Sequence, residues 1–279
     1  YQWNLPLINL PKAWESDTGS DTVIVAVLDT GVLLNHPDLK NNLISGYDFV
    51  SDSSMSNDGD GIDPGPDDPG DKGNSDGSSS FHGTHVAGII AAETDDNQGI
   101  AGVTWVTKIM PVRVLGKGGG TEYDLIQGVR YAAGLTNDSG EVPTAKADII
   151  NLSLGGAGYS SASQAVFEEA RNNNVIIVAA AGNNASSKAF YPASYNGVIS
   201  VSATDINGNQ ASYSNYGSDI DVAAPGGDSG DVNGDGYQDY ILSTCGDDSS
   251  KPIKFDYVFM AGTSMAAPHF SGVVALMKE

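Results

Sequence analysis

Residues 23–32 read Val-Ile-Val-Ala-Val-Leu-Asp-Thr-Gly-Val, an unbroken apolar run that closes on a carboxylate and a glycine. A strand wetted on one face alternates apolar and polar residues, whereas a strand covered on both faces does not. The run therefore predicts a buried parallel strand over 23–28 and an α/β fold. Similar stretches over 108–114 and 148–156 predict further buried strands, and a helix over 161–172 with a strand over 175–180 makes a βαβ unit. In open sheets of this kind reactive groups gather at the carboxyl ends of strands, where Asp29 sits. An aspartate that merely caps a turn fits the same local pattern.

Two other glycine-flanked stretches bear on the choice. Phe81-His82-Gly83-Thr84-His85-Val86-Ala87-Gly88 opens an apolar helix. His82 and His85 have the spacing of a metal pair, but no third nitrogen or sulfur ligand accompanies them. Gly262-Thr263-Ser264-Met265-Ala266-Ala267-Pro268-His269 leads into an apolar helix over 265–277 that contains Gly272. A serine there is an ordinary N-cap when read alone. It is also where backbone N–H groups and the helix dipole favour developing negative charge, which suits a nucleophile whose reaction passes through an oxyanion. Three separate motifs, each presenting one of Asp, His and Ser, make coincidence a poor explanation.

With these residues in order Asp29, His82, Ser264, the chain resembles the subtilisin-like serine proteases, the subtilase family. The resemblance runs over nearly the whole chain. It implies a three-layer α/β/α fold around a mostly parallel sheet, in one catalytic domain spanning 1–279. It implies that His82 takes the Ser264 proton while Asp29 orients the imidazole, and that Asn183 in Ala179-Ala180-Ala181-Gly182-Asn183 donates to the oxyanion beside the Ser264 N–H. Gly118, Gly119 and Gly120 are expected to offer an edge to which an extended substrate adds as a strand. The P-loop ending Gly-Lys-Ser/Thr is missing from that stretch. Tyr123 and Ile126, on a helix over 123–133, are expected to line an apolar pocket. Ser153, Leu154 and Gly155 form one wall of the primary specificity pocket, Ala180, Ala181 and Gly182 the other, with Thr263 nearby. Phe190 falls near the floor, where a phenylalanine shortens the pocket.

The resemblance also implies calcium. Gln2, Asp38 and the loop residues Thr94, Asp96, Gln98 and Ile100 match the family's tight site, with Asp95 or Asn97 as alternatives to Asp96. Ala193, Tyr195, Val198, Asp219 and Asp221 match a weaker site for calcium or sodium. From the residues themselves, Asp58, Asp60, Asp63, Asp68 and Asp71 lie in a segment over 51–80 whose composition predicts disorder unless a metal organises it. Asp231, Asn233, Asp235, Tyr237 and Asp239 follow the opening of an EF-hand loop without its final glutamate; a hairpin with an Asp-Gly turn is the plainer alternative.

Composition bounds the partners. A formal charge of −22 disfavours nucleic acid and anionic membranes. Neither a signal peptide nor a bilayer-length apolar run is present. The start at Tyr1 suits a processed, secreted enzyme, expected as a monomer that meets protein or peptide substrates, its own pro-segment and proteinaceous inhibitors. Cys245 is the only cysteine and is expected to be buried. The chain stops at Glu279, earlier than the family pattern, which suggests truncation or a nick there. Two other readings compete: a calcium-loaded binding module on an inactive scaffold, and an esterase using the same residues.

Overall fold

The structure is a computed structural model that describes residues 1–278, so the suggested break after Glu279 lies outside the described residues. In chain order the elements are α1 (Asn4–Leu7), α2 (Leu10–Ala13), β1 (Ile24–Asp29), β2 (Tyr47–Asp48), α3 (Ser53–Ser56), α4 (His82–Ala91), β3 (Lys108–Arg113) and α5 (Glu122–Ala132). There follow β4 (Ile149–Leu152), α6 (Ser161–Asn172), β5 (Ile176–Ala180), β6 (Ile199–Thr204), β7 (Val222–Pro225), β8 (Ile241–Asp247), β9 (Lys254–Met260) and α7 (Thr263–Leu276).

Seven strands form a parallel sheet in the order β2-β3-β1-β4-β5-β6-β7. All of β1 is buried, as its lack of alternation predicts. Its Val25 and Val27 face α4 and α7, meeting Val86, Ile90 and Ala266 in one core. Ala26 and Leu28 face α5 and α6, meeting Val129 and Phe167 in another. Period-two side chains thus make the three layers. Because β1 pairs with β3 on one side and β4 on the other, the chain reverses its winding at β1. That switch opens a crevice at the strand's carboxyl end, beside Asp29.

Two regions depart from the sequence reading. An antiparallel hairpin, β8–β9, stands where only an insert was expected. Its polar residues grip α4 through that helix's backbone. Ser243 Oγ donates to the His85 carbonyl at 2.7 Å, and Thr244 Oγ1 donates to the Thr84 carbonyl at 2.7 Å. His85 Nε2 lies 3.2 and 3.1 Å from the carbonyls of Ile241 and Val258. Gly88 permits this approach, since a methyl group there would overlap both hydroxyls. Cys245, on β8, is buried against Leu33 and Phe81, and burial pushes its thiol up to about 12.

The second is the acidic segment over 51–80. Asp52, Asp58, Asp63, Asp68, Asp71 and Asp76 each accept the backbone N–H two residues further on. Each carboxylate satisfies a donor that has no ladder to join, so a composition typical of disorder gives a string of Asx turns. Arg113, reaching from β3, completes it. Its guanidinium is buried and donates to Asp48, Asp58 and the Ser56 carbonyl.

Candidate active site

Asp29 ends β1 with its carboxylate buried, and His82 opens α4. The imidazole Nδ1 stands 2.8 and 2.9 Å from the two oxygens of Asp29. With that nitrogen donating, Nε2 keeps its lone pair and can accept a proton. Burial alone lowers the imidazole's pKa. The charge and hydrogen bond of Asp29, with the charges of Asp71 and Asp68, outweigh it and leave the pKa above the ordinary value. The other three buried imidazoles make structural contacts, and burial lowers the pKa of His36 too. Burial takes His85 down to about 3 and His269 to about 4, and His269 is held by the Met265 carbonyl and Asn4.

Ser264 sits in the first turn of α7. Its Oγ donates to the Ser153 carbonyl at 3.1 Å, and among the described residues no hydrogen bond joins it to His82. A buried chain of polar groups lies beneath. Ser271 Oγ donates to Asn151 Oδ1 at 2.8 Å, Asn151 Nδ2 donates to Ser153 Oγ at 3.0 Å, and Ser153 Oγ donates to the Ser264 carbonyl at 2.7 Å. Neither Asn151 nor Ser271 was singled out from the sequence. Their signal is polarity inside an otherwise apolar strand and helix, where an unpaired group is costly.

Asn183 Oδ1 accepts from the Thr263 N–H at 2.9 Å and the Thr263 hydroxyl at 2.8 Å. A backbone donor on the oxygen fixes which way the amide faces. A methyl group built on Gly262 would lie 3.4 Å from Asn183 Nδ2 and 3.6 Å from Ser264 N, so two N–H donors border one small space. Donors aimed at one point can stabilise an oxyanion.

A cleft of about 720 Å³ runs past His82, Gly118, Gly119, Gly120, Ser153, Leu154 and Gly155. Other expected lining residues stand apart. Tyr123 is exposed and donates to Asp138 at 2.7 Å; Leu125 and Ile126 both pack against the outer core, and Glu122 and Leu125 also line the cleft. The Thr121 cap fixes the phase of α5, and residues three apart share a helical face. Ala180, Ala181 and Gly182 are buried and do not line the cleft, nor does Thr263, whose hydroxyl donates to Asn183. The Phe190 ring occupies the space between the two glycine walls. A methyl group on Gly182 would lie 2.9 Å from Phe190 Cγ, and one on Gly155 would overlap the ring.

The proposed metal ligands divide. Asp38 is buried; its Oδ2 accepts the Ile100 N–H at 3.0 Å and its Oδ1 has no partner. Burial, with the charges of Asp96 and Glu93, brings its pKa up to about 6, against the opposing Ile100 N–H. Gln2 bonds Ala101 through both amide atoms, and Asp96 accepts the Gln98 N–H. Thr94 bonds inside the same loop. Around the weaker site, Ala193, Tyr195 and Val198 are buried while Asp219 and Asp221 are exposed, and the Arg171 guanidinium packs on Gly197 between the last two carbonyl-bearing residues.

The five aspartates of the 51–80 segment do not converge. Asp58 and Asp63 meet Asp48 within 4.8 Å, but Arg113 already pairs with Asp48 and Asp58 there, and Asp60 stays outside the group. Asp68 turns toward Thr30 and the neighbouring Asp29 instead. Its Oδ2 accepts the Thr30 hydroxyl at 2.6 Å, while the Thr30 N–H donates to Asp29 Oδ1 at 2.8 Å. Burial pushes Asp68 up to about 7 despite the Thr30 hydrogen bond. Asp71 lines the cleft, accepting both the N–H and hydroxyl of Ser80 at 2.6 and 2.7 Å.

Comparison with known proteins matches residues 20–279 to the Subtilase family. An extracellular protease of Xanthomonas campestris is 42% identical over 98% of this chain and 46% of its own length. Thermitase of Thermoactinomyces vulgaris is 38% identical over 99% of this chain and 81% of its own. A solved structure titled as proteases from Pseudoalteromonas arctica superposes with TM-score 0.92 at 45% identity, covering 99% of this chain and 84% of that one. Relatives named intracellular serine proteases also match. The chain spans about half the length of several curated relatives.

Proposed function

The chain belongs to the subtilase family, and on that premise we propose that it is a secreted serine endopeptidase working through Asp29, His82 and Ser264. The observation that carries the reading is the two-oxygen grip of Asp29 on His82 Nδ1 inside the cleft. Ser264 exchanges its Ser153 carbonyl for His82 Nε2 as substrate seats; such bonds are commonly loose before substrate arrives. Its oxygen then attacks the peptide carbonyl, and Asn183 Nδ2 and the Ser264 N–H receive the oxyanion. His82 passes the proton to the leaving amine, and water hydrolyses the acyl-enzyme. Secretion draws on the extracellular names among the relatives.

Substrates are proteins or extended peptides lying along Gly118–Gly120 and Ser153–Gly155. Phe190 leaves room for a small side chain at the residue before the scissile bond. Phe190→Gly should raise kcat/KM for a phenylalanine there by about 10–100-fold, the range that pocket size commands. Ser264→Ala should lower kcat on the order of 10⁵–10⁶-fold. Undiminished peptide hydrolysis by that variant, or no labelling of Ser264 by a phosphonate, would refute the reading. Turnover of simple esters without peptides would point to an esterase.

Calcium fits the Asp38 site. The donors are oxygens, and a buried carboxylate oxygen without a partner is the vacancy a cation fills. Asp38, Gln2 and the carbonyls of the 94–100 loop would hold it, and its role there is to fasten the loop.

A further inference from the structure

The loop over 231–239 played no part in the site just described. We propose that it is a divalent-cation site, calcium by its all-oxygen donors, whose filling holds Tyr237 against Tyr1 and so anchors the segment over 1–9.

Asp239 is only 4% exposed; its Oδ2 accepts the Val232 N–H at 2.7 Å, which turns the carboxylate into the loop, and its Oδ1 is buried with no hydrogen-bond partner. A buried, unpaired carboxylate oxygen carries the full cost of lost hydration unless a cation compensates it. Asp239 also closes the neck of the loop, donating its N–H to the Gly230 carbonyl at 2.8 Å. Asp231 and Asn233 both fold inward, accepting the Asp235 N–H at 3.0 Å each. Asp231, Asn233, Asp235 and the Tyr237 carbonyl then supply the first four positions of an EF-hand array, and Asp239 takes the position often filled through water. Residues 226–240 contain no lysine or arginine, and among the described residues no salt bridge reaches their aspartates.

The aromatic contacts give the site a consequence. The Tyr237 ring meets Tyr1 edge-on at 5.1 Å and stacks on Phe259 of β9 at 5.5 Å. Trp3 Nε1 donates to the Tyr240 carbonyl at 3.3 Å, just past the loop. A cation that fixes the Tyr237 backbone therefore fixes the platform on which the first residues rest.

The test uses the Ser264→Ala chain, to suppress self-cleavage, and no readout needs turnover, so failure here is separable from failure of the proposed activity. Terbium replaces calcium, and its emission reports a tyrosine close to the ion. Asp231→Asn/Asp235→Asn, both exposed positions, should lower sensitised emission at least tenfold and remove one class of bound ion; Asp38→Asn should keep that class. Gln2 also serves the Asp38 site, so calcium should slow hydrogen exchange over 1–9 several-fold in the parent, and the double variant and Asp38→Asn should each lose part of that slowing. Equal emission and stoichiometry in parent and double variant would overturn the site. Slowing by calcium in the double variant as large as in the parent, or its complete loss in Asp38→Asn, would overturn the anchoring.

Discussion

Two acidic stretches of this chain meet the same electrostatic problem differently. The segment over 51–80 draws in a cation from the protein itself: Arg113 enters from β3 and sits between Asp48 and Asp58. The loop over 231–239 has no such partner and keeps an unpaired buried oxygen on Asp239. Both are rich in Asp, Gly and Asn, and both use carboxylates to receive backbone N–H groups. The difference is one distant guanidinium. Whether an acidic loop calls for a metal thus depends on what a remote strand delivers to it, which composition does not reveal.

The sharpest way to break the contrast is Arg113→Met. Removing one partner of a buried pair leaves charge uncompensated, at a cost of about 3–5 kcal/mol. Burial already pushes Asp48 up to about 7 against the pull of Arg113, so little margin remains. Urea unfolding of the Ser264→Ala background should show this loss equally with calcium or chelator. A loss that calcium reverses would mean that the first segment, too, is a metal site. Chelation of the parent should come next in size. An ion present at 100 times its Kd adds about 2.7 kcal/mol, and this should shrink in Asp38→Asn and in the 231–239 double variant, read as the thermal midpoint.

A smaller effect tests whether the first segment, unlike the second, reaches the chemistry. Asp68 is protonated in the folded chain up to about pH 7 and ionises near 4 when unfolded, so its contribution to stability is complete below pH 4 and fades as pH rises to 7. Asp68→Asn keeps an acceptor for Thr30 and should flatten stability against pH across that window. Smallest of all, Asp71→Asn removes a charge that helps raise the His82 pKa. The acid limb of kcat/KM should move down by a few tenths of a pH unit, while Asp235→Asn leaves it in place.

The comparison also marks where sequence reasoning reached and where it stopped. Strand β1 was legible because an unbroken apolar run signals burial on both faces, and helix α6 because its apolar residues recur at helical spacing. Residues 29, 82, 183 and 264 could be proposed from the sequence because each sits in a tight glycine-flanked motif. Leu125 was misassigned to Ile126 because the Thr121 cap, not the apolar pattern, fixes the helix phase. The β8–β9 hairpin escaped notice because Ser243 and Thr244 bind the backbone of α4 through hydroxyls, and such contacts leave no apolar alternation to read. Asp68 and Asp71 looked like ligands, since a carboxylate that receives N–H groups has the same sequence signature as one that receives an ion.

The packing of α4 against α7 has a consequence for how the chain is made. The histidine helix forms early in the sequence, but the hairpin that grips it and the helix bearing Ser264 come near its end. On the proposed mechanism, a nascent chain that lacks α7 holds a carboxylate and an imidazole side by side and yet cuts nothing. Closing so long a loop is also slow relative to local pairing. Synthesis order itself therefore withholds the proposed nucleophile, Ser264, until α7 has emerged.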